Sequence, residues 1–266
     1  MKKSVVFVIL TFFSLSFNSQ AKTGISDIKA YAKAEVTIEQ LRKQKEVNWK
    51  EIAAQYEITA KIVKDIDSKH GTNYDKEILE ALKKCEANEN PKVNQQIIGK
   101  GLQHVTVLAI QDELKNINKS KLASQNIAAF FEGIRPTFQR RDKDFFEDKK
   151  NLENIADQAL KTLLNNEAKN QMTSRMELEN ILFRTYALSV LFEVIEIESI
   201  RESNLPECDV KRMEAQIFYR IIQPQIKKKS PSADEAISKM LSGSYATMNA
   251  KFLEENLSYG RQNIKN

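Results

Sequence analysis

Two histidines, two cysteines, one tryptophan, seven glycines and five prolines are few for 266 residues, and each scarcity excludes something. With only His70 and His104, a zinc site of three or more histidines cannot be built, and no Cys-x-x-Cys occurs. The Gly-x-Ser-x-Gly turn that presents a nucleophilic serine is absent. Gly99-Lys100-Gly101 has Asn94 where a phosphate loop needs its first glycine, and Gly101 where the hydroxyl residue should follow the lysine. It reads as helix carrying two glycines. Asp65 to Gly71 begins like a calcium loop and then fails. Lys69 takes the fifth position, glycine comes at the seventh, and Lys76 stands where a bidentate glutamate is required. Gly71 instead fits the left-handed residue that closes a helix.

Scarce glycine and proline, with apolar residues recurring every three or four positions, predict an all-α chain. Ser26-Asp27, Thr72-Asn73, Ser120, Thr173-Ser174, Pro206 and Ser230-Pro231 supply start signals. The predicted helices span 26–45, 48–68, 74–88, 92–116, 120–142, 147–167, 174–203, 207–228, 232–241 and 243–258. Nine to ten helices of this kind form a bundle or a short stack.

What the chain does contain begins with residues 1–21, which have the three parts of a secretory signal. Lys2-Lys3 form the basic end, Ser4 to Phe17 the apolar stretch, and Ser19-Gln20-Ala21 a small-x-small cleavage site. Removal is expected, with a periplasmic or secreted mature protein. Downstream, the longest apolar stretch, Tyr186 to Ile197, is interrupted by Glu193 and Glu196, so no membrane span is expected after removal. Cleavage lowers the formal charge of +5 by two lysines, too little for an electrostatic argument about partners. Lys227-Lys228-Lys229 suits the negative end of a helix dipole, and no nucleic-acid partner is expected. In an exported chain Cys85 and Cys208 have one available pairing, closing a loop of roughly 120 residues worth about 4 to 5 kcal/mol on the chain-entropy model. The alternative is two separate buried thiols.

Ile127 to Pro136 (IAAFFEGIRP) returns 88 positions later as Ala215 to Pro224 (AQIFYRIIQP). Phe130, Ile134 and Pro136 meet Phe218, Ile222 and Pro224, and Phe131 meets Tyr219. A fainter relative, Ile52 to Glu57, lies 75 positions before the first copy, with Gln55 in place of the first aromatic; the position shared by all three is Tyr56, Phe131 and Tyr219. Such self-similarity points to an internally duplicated helical unit. The organisation expected is an N-terminal helical segment (22–51), unit 1 (52–126), unit 2 (127–214) and a truncated unit 3 with tail (215–266), all in one compact domain. Phe130, Phe131, Pro136, Phe218, Tyr219 and Pro224 read as a structural joint between helical units, the aromatics as core.

Polarity and burial conflict only in the predicted helix 174–203, where Glu193 and Glu196 share a stripe on an otherwise apolar surface. Buried carboxylates need a cationic partner or a metal. His104 lies on the corresponding helix of the first unit. It lacks the Gly-x-His-x-x-Glu surroundings of imelysin-like proteins, because Gly101 precedes it by three residues and Val107 replaces the glutamate. Two functions follow. The first is an exported, non-enzymatic helical scaffold for a protein or other extracytoplasmic partner, with no cofactor. The second is a small-ligand or metal carrier holding a divalent ion through Glu193, Glu196 and His104.

Overall fold

The computed structural model describes residues 23–118, 120–147, 149, 151–165 and 168–258. The signal sequence expected at 1–21 lies outside the described residues. Among those described, the chain is an all-α bundle of ten helices without a strand. The helices are α1 (Ile25–Leu41), α2 (Trp49–His70), α3 (Tyr74–Glu86), α4 (Pro91–Lys115), α5 (Lys121–Phe146), α6 (Asn151–Leu164), α7 (Ala168–Ile200), α8 (Leu205–Lys229), α9 (Pro231–Ser242) and α10 (Ala250–Leu257). None of them is long and apolar enough to cross a membrane.

Local chemistry sets the boundaries. Asn48, Asn204, Ser230 and Asn249 each accept a backbone amide of the following first turn, and Pro91, Pro206 and Pro231 occupy first-turn positions where their missing N–H is no loss. Gly71 closes α2 at φ 65°, a left-handed conformation that glycine adopts without cost. Asp67, read from sequence as part of a failed calcium loop, is a cap: its carboxylate accepts the amides of Tyr74 and Asp75, both at 2.8 Å. Asp142 does the same between α5 and α6, taking the amides of Leu152 and Glu153 at 2.7 and 3.0 Å.

The successions α2-α3-α4, α5-α6-α7 and α8-α9-α10 each open on a long helix that folds back through a short one. Tyr56, Phe131 and Tyr219, on these opening helices, are buried. The Tyr56 and Tyr219 hydroxyls donate to Asp75 and Asp234, at the start of the next short helix, at 2.7 and 2.8 Å. Pro136 and Pro224 lie inside α5 and α8, which continue past them to Phe146 and Lys229. Phe130 and Phe218 are buried too, Phe130 edge-on to Tyr31 of α1.

The middle of α7 is deep in the core, with Leu182, Tyr186, Val190 and Val194 buried where α7 meets α6, α8 and α5. Cys85 and Cys208 are free, which corrects the bridge considered from sequence. Each thiol is buried in its own surroundings: Cys85 Sγ lies 3.7 Å from the carbonyl of Pro91, while Cys208 sits in the first turn of α8. Burial raises both thiols, Cys85 to about 11.

Candidate functional site: a charged cleft between helices

A cleft of about 330 Å³ opens where the end of α1 meets α4, α5, α7 and α8. Glycine makes this meeting possible. A Cβ on Gly99 of α4 would lie 1.6 Å from Arg42 Nη1, and one on Gly133 of α5 would lie 2.2 Å from Glu35 Oε2. One side chain comes from α1 and the other from its C-terminal cap, so two polar groups dock that helix into notches where neighbouring residues lack a side chain. Gly101 is different: a Cβ there would touch Ile78 at 3.5 Å and Tyr74 at ordinary contact distance.

One wall of the cleft is centred on Glu39. Arg42 reaches it at 2.7 Å, Lys43 at 3.1 Å and Arg140 at 3.2 Å. Burial pushes the Glu39 carboxyl upward, but Lys100 and these three cations outweigh it and hold the group well below the usual carboxylate range. Arg42 also donates to Gln96 at 2.6 Å, and Arg140 to Thr137 at 3.0 Å. The opposite wall is Phe192, with the Arg141 guanidinium 4.1 Å above its ring and the Lys211 ammonium 5.7 Å away. Lys211 reaches Glu193 at 3.3 Å and Glu196 at 3.9 Å, while Arg141 holds Asp144 at 2.7 Å and stands 3.8 Å from Glu193.

Glu193 and Glu214 interact as a buried carboxyl pair. Burial and the Glu214 charge raise Glu193, with Lys211 and Arg141 opposing. For Glu214 burial is outweighed by Lys100, by Glu193 and by Lys211, so it is lowered. Within the pair, Glu193 is the carboxyl whose neutral form is favoured and Glu214 the one whose charged form is favoured. Lys100 projects from α4 into the cleft above the Phe218 ring, 5.1 Å from its centre. It is only 5% exposed, and among the described residues no carboxylate comes within 4 Å of its ammonium. Burial lowers it, and the more distant Glu39 and Glu214 partly restore the charge.

Beside the cleft a second polar group is fully enclosed. Thr106 donates to Glu35 at 2.6 Å and lies 3.1 Å from the Tyr31 hydroxyl. Burial raises Glu35 to about 8, and its Oε1 has no hydrogen-bond partner.

The residues expected to hold a metal divide between two places. Glu193 and Glu196 do come together, on Lys211, whereas His104 belongs to Tyr74, whose hydroxyl meets its Nδ1. Burial, followed by Arg220 and His70, lowers His104 to about 3, which keeps the ring neutral. Among the described residues, no three His, Cys, Asp or Glu side chains are grouped to hold a metal ion. The stripe in α7 thus has the cationic partners anticipated for it. Lys100, Arg42 and Arg141 are not marked by any local pattern; only the near-palindrome around Lys100 hints that α4 is approached closely. No family model, curated protein or solved structure matches the chain.

Proposed function

We propose that this chain is a non-enzymatic extracytoplasmic binding protein whose small-ligand site is the cleft between α1, α4, α5, α7 and α8. Lys100 is the observation that carries this reading. Removing an ammonium from water is costly unless an opposite charge or several acceptors replace the hydration. Here the carboxylates that favour its charge stand beyond 4 Å, and the Nζ donors face open space of ligand size. Binding fits this arrangement better than turnover, because the nearest imidazole, His104, is committed to Tyr74 and uncharged. Extracytoplasmic placement rests on residues 1–21, and the frame is the packing of α4, α7 and α8 on one another.

The test is a thermal-shift screen of the mature chain against small anions, cations and neutral solutes, beside Gln95→Trp, which fills the cleft mouth. A saturable stabilisation lost in the variant is expected. Stabilisation of both proteins alike would defeat the assignment.

A macromolecular partner is the second reading, favoured by Met172 and Met176. One turn apart on α7, they are 57% and 55% exposed, unusual for adjacent large apolar side chains. In that case a partner retained during purification should be lost from a Met172→Glu, Met176→Glu double variant and kept by Gln95→Trp.

A further inference from the structure

We infer that the ligand of this cleft is a small oxyanion, carrying carboxylate or phosphate oxygens, with Lys100 and Arg141 as its anchors. The inference rests on the cleft being a binding site and adds the chemistry of what it takes. Charge count is the first support. Six cationic side chains line the cleft against four carboxylates. Glu39 alone already occupies three of those cations, and six against four leaves the unneutralised charge positive.

The second support is donor supply. Arg141 keeps Nε and Nη1 buried without a hydrogen-bond acceptor, although its Nη2 is committed to Asp144. Lys100 contributes ammonium protons that no described carboxylate approaches. An ammonium at the cleft, with an enclosed and unpaired guanidinium edge in the wall of the same cleft, suits the several lone pairs of a carboxylate or phosphate group. Phe192 and Phe218 form apolar surfaces beneath these two cations. They keep water from competing and strengthen the attraction for an anion that enters. A divalent cation is disfavoured by the same arithmetic.

Isothermal titration of the mature chain with inorganic phosphate and with succinate tests the idea and separates the two oxyanion sources; glucose and putrescine serve as neutral and cationic probes. One of the two anions should bind saturably, and Gln95→Trp should abolish it. Lys100→Met should weaken it about tenfold or more, the loss expected when a charged hydrogen bond is removed. Lys43→Glu alters an exposed rim charge, so it leaves folding intact, and it should weaken binding about threefold if the field of the cleft matters. This second variant keeps the inference open to refutation should Lys100→Met fail to fold. Binding of glucose or putrescine that Gln95→Trp removes, without anion binding, would overturn the oxyanion while leaving the site in place. If none of the four probes binds, or if binding survives Gln95→Trp, both readings fall.

Discussion

Glu35 carries its proton at neutral pH because nothing around it compensates a negative charge. Its Oε2 accepts from Thr106, its Oε1 has no partner, and burial raises it to about 8. The folded state then holds a proton that the unfolded chain releases near the ordinary value of 4.5. This contribution is fully present below pH 4.5 and is lost as pH rises through 8, an effect on the order of a few kcal/mol. Urea denaturation should show the decline in the wild type and a flatter profile between pH 5 and about 8 in Glu35→Gln; parallel profiles would contradict it. Gly99 and Gly101, two positions apart on one helix, should respond in opposite directions. Gly99→Ala forces Arg42 out of its notch and should cost about 1 to 3 kcal/mol, despite the helix propensity gained. Gly101→Ala meets Ile78 and Tyr74 at ordinary contact distance and should stabilise by up to about 1 kcal/mol. From sequence both glycines looked alike. What separates them is Arg42, which arrives from the end of a helix more than fifty residues earlier, and no local pattern records it.

At the scale of elements, caps and periodicity located the helices closely, since both are local. The predicted 74–88 and 92–116 became Tyr74–Glu86 and Pro91–Lys115. Two boundaries differ for visible reasons. Thr173-Ser174 were read as a start signal but lie within α7, which begins at Ala168. The predicted 243–258 is divided by a short turn at Tyr245–Thr247, after which Asn249 caps α10. A regular spacing also accompanies three buried aromatics, Tyr56, Phe131 and Tyr219. Asp67, Asp142 and Ser230 each follow their aromatic by 11 residues, and each caps the next short helix. The three residues differ in type while sharing an acceptor oxygen, so residue identity does not display the spacing. Asp67→Ala and Asp142→Ala should each cost about 1 to 2 kcal/mol, read by thermal unfolding, because each leaves two first-turn amides unpaired.

For the whole molecule, the all-α bundle was legible from composition and spacing, and part of the site was as well. Glu193 stood out because a carboxylate on an apolar helix needs a partner; its partners could not be named until α5, α7 and α8 met. The thiols belong to this scale too. With Cys85 and Cys208 both buried and unbridged, the native chain should react with a thiol reagent only slowly, and two equivalents should react once it is unfolded. The central claim is that the cleft holds a small ligand. Native mass spectrometry of the mature chain from its own host, beside Gln95→Trp, tests it most directly. A single small anionic adduct on each wild-type chain, absent from the variant, is predicted; bare wild-type chain, or an adduct that the variant also carries, would contradict it.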